Sequence, residues 1–393
     1  MTSSSPTKRP LSIVILGTRG IPASYGGFET FAEELSTRLV ARGHKVTVYG
    51  RKFLGQPRGT PEFKGVSVKY TFTVAQKYLE TPLHALTSNF DLITSKYDVA
   101  LLCNAANSPF AWMIRALGIP LAINVDGIER MRSKWNSLGR AWYRLGEYCS
   151  TVFASKVIGD ADVICKYYKE RYNTESVMIP YGAKVEKRSA SETLNKFNLF
   201  ANNYILYVSR LEPENNALGV IEAYKKISTS NTPPLVIVGD APYADAYKQN
   251  LRQLADGANV IFTGFQFGQA YQELRSNCLC YVQATEVGGT HPALVEALAY
   301  GNPTIVNGTP ENIEVVKDAA LIYDKNNFDQ LSELLTKLIS SEQLRNELTQ
   351  KAIKRANSVY TWEAVVDAYE DLLFALAAPG AALALADDTV SKV

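Results

Sequence analysis

The chain has 393 residues, of which 46% are hydrophobic and 20% charged, an ordinary balance for a soluble globular protein and more chain than one hydrophobic core usually serves. Its 41 basic and 39 acidic side chains leave a net charge of +2, which excludes the strong field expected of a nucleic-acid binder. Three histidines and five cysteines (Cys103, Cys149, Cys165, Cys278, Cys280) without ligand spacing argue against a metal centre, and no run reaches the about 18 apolar residues of a membrane span. The cysteines are expected to be buried thiols of a reducing compartment. The basic residues of the first ten positions are not followed by a signal-peptide core, so the protein is expected to be cytoplasmic.

Residues 11–16 form a short continuous apolar run ending at Gly17-Thr18-Arg19-Gly20, the pattern of a buried strand and a tight turn. Phe28, Phe31, Leu35 and Leu39 recur at helical spacing and predict a helix over 27–42, and Gly43 punctuates before a strand at 45–49. A strand–helix–strand opening implies a parallel sheet with right-handed crossovers. Further strands are predicted at 66–72, 99–102 and 121–125, and helices within 79–94, 108–117 and 135–154. After a less ordered segment at 184–191 the pattern restarts, with strands at 204–208, 235–239, 260–262, 279–283 and 303–306. The helices between them fall at 218–227, 244–254, 268–276 and 292–300. A last helix is predicted over 361–375, with Trp362, Val365, Val366, Tyr369 and Leu373 on one stripe, followed by an alanine-rich tail. Two successive doubly wound α/β units fit this order.

Gly288, Gly289 and Thr290 lead through His291 and Pro292 into an apolar helix. The N–H groups at such a helix start have no partner inside the helix and favour a phosphate. Glu296, more than a turn further in, is placed to accept hydrogen bonds from hydroxyls of the same ligand. His291 is read either as a donor to phosphate or sugar hydroxyl or as a cap of the helix. Arg210 follows the strand at 204–208, beyond whose carboxyl end a ligand is expected. Its planar fork suits a diphosphate. The structural alternative is a surface pair with Glu212 or Glu214. Asp126, with Glu129 behind it, ends the 121–125 strand and reads as a base or hydroxyl anchor, or as an Asp-Gly turn. Gly26 and Gly27 fall just before the first long helix, where small residues let a ligand approach the backbone. Arg130, Arg132, Lys134, Arg140 and Arg144 interleave with Met131, Trp135, Trp142 and Tyr143, a pattern suited either to an anionic bilayer surface or to a solvated helix with its aromatics in the core. Glu147, near the end of that run, is placed on the solvated face. His44 reads as a structural loop residue, and His84 carries no signal.

Four blocks stand in order along the chain. They are Gly17-Thr18-Arg19-Gly20-Ile21-Pro22 with Tyr25-Gly26-Gly27-Phe28-Glu29-Thr30, Asp126-Gly127-Ile128-Glu129 with Ser133-Lys134-Trp135, Glu212-Pro213-Glu214-Asn215-Asn216, and Gly288-Gly289-Thr290 through Glu296-Ala297. Over about residues 11–375 they resemble the family 4 retaining glycosyltransferases of the GT-B fold, and more narrowly the bacterial polysaccharide rhamnosyltransferases. The resemblance implies an α/β architecture of two doubly wound Rossmann-like domains facing a central cleft, with a C-terminal helix crossing back. Residues 10–185 would form the acceptor-side domain and 186–360 the nucleotide-sugar-binding domain. Residues 361–376 would pack back on the first domain, and 377–393 would be a flexible tail.

The resemblance further implies a nucleoside-diphosphate sugar donor, dTDP-L-rhamnose, and a saccharide acceptor linked to lipid. Peripheral contact with the inner face of an anionic membrane goes with such an acceptor, and no cofactor or metal is expected. Arg210 and the Gly288, Gly289 and Thr290 amides would stabilise the departing diphosphate, with Gly26, Gly27, Asn215 and His291 also contacting donor. Glu296 would orient the ribose, while Asp126, or secondarily Glu129, would serve the acceptor hydroxyl.

Three departures from the broad family agree with the rhamnosyltransferase-like subgroup. Asn215 stands where a second diphosphate contact is a lysine, and Asp126 stands for a histidine. Gly288 occupies the place of a glutamate eight positions before Glu296, with Glu286 two residues earlier. The rival readings are a GT-B sugar-nucleotide epimerase and a catalytically silent nucleotide-sugar- or polysaccharide-binding protein. A dehydrogenase fits less well, because the opening lacks the G-x-G-x-x-G fingerprint and Gly50-Arg51 stands where its acidic partner would be.

Overall fold

The computed structural model describes residues 9–23, 26–53, 61–76, 78–132, 135–241 and 244–378, so the expected tail beyond Ala378 lies outside the described residues. The chain divides into two compact units: Met1–Arg130, Trp135–Ile179 and Trp362–Val393 form the first, Met131–Lys134 and Pro180–Thr361 the second.

In the first unit the strands are β1 (Ser12–Leu16), β2 (Lys45–Phe53), β3 (Glu62–Phe63), β4 (Val66–Thr73), β5 (Val99–Cys103), β6 (Leu121–Asn124), β7 (Lys156–Gly159) and β8 (Ser176–Met178). They pair in the order β3-β4-β2-β1-β5-β6-β7-β8, parallel throughout except for the β3–β4 edge. Ile13, Val14, Ile15 and Leu16 are completely buried, as expected of a parallel strand covered on both faces.

The second unit contains β9 (Ile205–Val208), β10 (Leu235–Val238), β11 (Val260–Gly264), β12 (Cys280–Gln283), β13 (Thr304–Asn307) and β14 (Leu321–Tyr323). Their order is β11-β10-β9-β12-β13-β14, all parallel, which is the Rossmann order with its reversal between β9 and β12.

The helix Trp362–Ala377 belongs to the first unit. Its Tyr369 ring lies 5.1 Å from Phe31 and its Trp362 ring 6.4 Å from the same residue. Glu370 takes Arg42 and His44 at 2.8 Å each, and Asn124 Nδ2 donates to the Tyr369 hydroxyl at 2.7 Å. His44 is thus a helix-docking residue, its Nδ1 accepting the Leu11 N–H.

Several elements go beyond the sequence reading. Between 155 and 179 lie β7, the helix Asp162–Tyr172 and β8, whose three- and four-residue strands are too short to show a period. The helix Glu342–Val359 hides its buried face in Leu348, Ala352 and Ala356, two of them alanines, so its apolar stripe is faint. The helix predicted within 108–117 is split: Pro109 sits inside a 3-10 segment, Ala105–Phe110, and only Trp112–Ala116 is α-helical.

Candidate active site

The reversal between β9 and β12 creates the crevice in which open α/β sheets bind ligands. The loops leaving these strands carry Arg210 and the Gly288–His291 turn, and they are tied together. Asn216 Nδ2 donates to the Ala284 carbonyl at 2.9 Å, and the Glu286 N–H donates to the Glu214 carbonyl at 2.9 Å. That second bond anchors the Glu286 backbone to the neighbouring loop.

Arg210 is half-buried, and its Nη2 lies 3.7 Å from Glu212, too far for a hydrogen bond. Asn215 is only 5% exposed, and its Nδ2 donates 2.7 Å to the Arg210 carbonyl. An amide N–H of Asn215, a residue expected to contact the donor, thus braces the backbone that presents Arg210. Arg132, grouped with the second unit, is also buried and lies 3.6 Å from Glu212 and 3.8 Å from Glu214.

At the opposite loop the helix Pro292–Tyr300 starts with proline in its first turn, where a missing N–H costs nothing. His291 is its N-cap by backbone position, but its ring makes no capping hydrogen bond. The ring instead fills the space beside Gly288, where a Cβ would lie 2.4 Å from His291 Cε1. Burial, and then the Arg132 and Arg210 guanidiniums, lower the His291 pKa to about 3 and hold the imidazole neutral. Gly289 and Thr290 are buried under the turn.

Glu296, one turn on, has a side chain 26% exposed. Its Oε2 accepts from the Tyr271 hydroxyl and lies 3.8 Å from Arg275 Nη2. Tyr271 and Arg275 come from the helix Gly268–Ser276, and nothing in their sequence spacing singled them out.

In the first unit Asp126 closes β6 in the left-handed region, φ +57°, which short polar side chains tolerate. Its N–H donates to Asn124 Oδ1 at 3.0 Å, and Asp126 is half-buried. Glu129 begins the one-turn helix Glu129–Met131 and is half-buried as well. Gly26 (φ +114°) and Gly27 are exposed at the start of the helix Gly27–Ala41. Behind Gly26 sits the buried carboxylate of Glu29, whose Oε1 accepts the Arg19 N–H at 2.9 Å. The negative charge favoured at this helix start is thus supplied by the chain itself. Tyr25, Ser133 and Lys134 lie outside the described residues.

Glu147 is a correction. It is 4% exposed, and it accepts from the hydroxyls of Tyr167 and Tyr172 at 2.8 Å while pairing with Arg130 at 3.1 Å. Three partners 17 to 25 residues away in the chain make a buried carboxylate out of a residue that helical position alone placed in solvent. Arg130 and Arg132, read from the sequence as facing either an anionic bilayer or solvent, are therefore both engaged within the fold.

Two family descriptions match the chain: glycosyl transferases group 1 over residues 191–355, and a domain of unknown function, DUF1972, over residues 67–184. An O-antigen chain mannosyltransferase B of Escherichia coli is 24% identical over 173 residues, 43% of this chain and 45% of that protein. Spore coat protein SA of Bacillus subtilis is 22% identical over 372 residues, 88% of this chain and 94% of its own. Among solved structures, sucrose-phosphate synthase from Thermosynechococcus elongatus superposes with a TM-score of 0.79 at 16% identity, covering 92% of this chain and 97% of its own. Anabaena Alr3699/HepE in complex with UDP-glucose superposes with a TM-score of 0.74 at 16% identity, covering 92% and 99%. At these identities the superpositions establish the fold. The architecture is GT-B, and residues 191–355 of it match the glycosyl transferases group 1 description.

Proposed function

We propose that this chain is a retaining family 4 glycosyltransferase that moves L-rhamnose from dTDP-L-rhamnose to a saccharide acceptor built on a lipid carrier. The observation that carries the reading is the β9/β12 switch point of the second unit, where a half-buried arginine and a glycine-opened helix start share one crevice. A nucleotide-sugar donor is further supported by the HepE structure, which is a complex with UDP-glucose. In the reaction, the bond between the anomeric carbon and the diphosphate oxygen breaks, and its electron pair leaves with the diphosphate. Arg210 and the N–H groups of Gly288, Gly289 and Thr290 stabilise that charge. Glu296 orients the ribose, and His291, neutral at physiological pH, donates to phosphate or sugar. For configuration to be kept, the acceptor hydroxyl oxygen forms the new glycosidic bond on the face the diphosphate leaves, its proton passing to a carboxylate for which Asp126 is the first candidate and Glu129 the second. Gly26 and Gly27 leave backbone open to the ligand.

A lipid-linked acceptor implies work at a membrane, although among the described residues no helix is long and apolar enough to cross one. The helix Ser137–Phe153 offers the contact. Leu138, Leu145, Tyr148 and Val152 are exposed along one stripe, flanked by exposed Arg140 and Arg144. Its single acidic residue, Glu147, is buried. An apolar stripe edged by cations alone complements an anionic lipid surface. Two copies of it facing each other would oppose arginines.

A mass-spectrometric screen tests the reading: the protein is incubated with single nucleotide sugars and a mixture of lipid-linked saccharides. The expected result is a deoxyhexose increment on an acceptor from dTDP-L-rhamnose, with the anomeric configuration kept by NMR. A hexose increment from another donor would replace the sugar assignment, and no product from any donor would overturn the function.

A further inference from the structure

Glu296 is a carboxylate of the donor crevice that the fold holds from below. Its Oε2 accepts from the Tyr271 hydroxyl, and that hydroxyl in turn accepts from Arg275 Nε at 2.9 Å. Arg275 is fully buried. Its Nη2 donates 2.7 Å to the carbonyl of Ala293, in the first turn of the same helix that carries Glu296. Its guanidinium also lies 5.3 Å from the Tyr271 ring centroid and 4.3 Å from that of Tyr281. Burial alone would lower the Arg275 pKa, but Tyr271, Tyr281 and Glu296 together raise it, so the cation is permanent. A fully buried arginine is costly unless its charge is used. Here it is used twice, once on the carboxylate through Tyr271 and once on the opening turn of the phosphate-facing helix.

We infer that Tyr271 and Arg275 are positioning residues for nucleotide binding: the Arg275–Tyr271 pair fixes one oxygen of Glu296 so that the other is presented to the 3′-hydroxyl of the nucleoside diphosphate. The inference rests on the proposed donor site. A carboxylate tethered at one oxygen loses little rotamer freedom on binding and keeps its acceptor direction. Without the tether Glu296 still bears its charge but no longer selects the hydroxyl. The tyrosine hydroxyl therefore governs discrimination between ribose forms rather than overall attraction for a diphosphate.

Calorimetric titration of the full chain tests this, with UDP and dTDP each compared with its 3′-deoxy counterpart, in wild type and in Tyr271→Phe. A hydrogen bond to a charged group predicts that wild type prefers the 3′-hydroxyl by about tenfold or more. In Tyr271→Phe that preference is expected to fall below about threefold, while the 3′-deoxy nucleotides bind within about twofold of their wild-type affinity. A merely structural role would weaken both nucleotides of each pair alike, so an unchanged ratio in Tyr271→Phe overturns the inference and leaves the donor site standing. A wild type indifferent to the 3′-hydroxyl overturns it as well. Absence of nucleotide binding in wild type overturns the donor site itself. Should Tyr271→Phe fail to melt cooperatively, Arg275→Lys, which keeps the charge and loses the Nε donor, carries the same comparison with the same expected drop.

Discussion

At Gly288 the side chain is absent because a neighbour occupies its place. A Cβ would meet the His291 ring at 2.4 Å, and the ring has no capping bond to hold it elsewhere. The glycine and the histidine are one device: the first gives up its side chain so that the second can lie under the turn, neutral, beside two cations. Gly288→Ala is expected to swing the imidazole out of the turn. Overpacking at this site should lower stability by about 1–2 kcal/mol, read by thermal melting, and weaken dTDP binding about tenfold, read by calorimetry. An alanine variant that binds as wild type does would remove His291 from the donor contacts. Asn215 and Glu147 show how far residue type alone carries. The resemblance assigns Asn215 to the ligand and helical position assigns Glu147 to solvent, yet both side chains are buried with partners that only the tertiary structure supplies.

Elements with strong local punctuation were legible before the fold was known. The helix Pro292–Tyr300 begins with proline and ends against Gly301 at φ +76°, and the helix Gly268–Ser276 stands within its expected bounds. The doubly wound pattern followed from strands and helices alternating at regular spacing. What stayed hidden were elements whose signal is tertiary, such as β7 and β8, and the helix Glu342–Val359 with its alanine face. The basic aromatic segment was legible as amphipathic but not as to which cations face out. Arg130 pairs with Glu147 and Arg132 is buried, which leaves Arg140 and Arg144 beside the exposed Leu138–Leu145–Tyr148–Val152 stripe. Co-sedimentation with vesicles rich in phosphatidylglycerol should accordingly fall at least several-fold in Arg140→Glu/Arg144→Glu, at about 1 kcal/mol per cation, while melting stays unchanged. Equal sedimentation of variant and wild type would remove this face from membrane contact, and concentration-dependent dimerisation lost in the variant would assign it to a second copy.

Across the whole molecule each unit holds one histidine whose pKa is lowered far enough to keep the ring neutral, His84 in the first and His291 in the second. His84, fully buried with Nε2 3.1 Å from the Gly50 carbonyl, has its pKa lowered to about 3 by burial and by Arg51, and His291 has the same value. Both lie below the ordinary value of 6.5, so the unfolded chain binds protons that the folded chain refuses. Their contribution is complete above about pH 6.5 and drains away as pH falls toward 3. For His84 the loss between pH 7 and pH 5 is about 2 kcal/mol. Glu273, held at about 2 chiefly by the N–H groups of Leu194 and Ser191 against the opposing effect of burial, loses its contribution only at still lower pH. Melting temperature should therefore drop from pH 7 to pH 5, and drop less in His84→Gln; a flat profile would contradict this. The glycosyl transferases group 1 match and the β9/β12 crevice coincide in the second unit, where the departing diphosphate is proposed to meet Arg210. The most direct measurement is acceptor-dependent release of nucleoside diphosphate by wild type and Arg210→Ala at equal folded concentration. A loss of about 100-fold or more with unchanged melting is expected of Arg210→Ala, and near-normal release would contradict a role for Arg210 at the departing diphosphate.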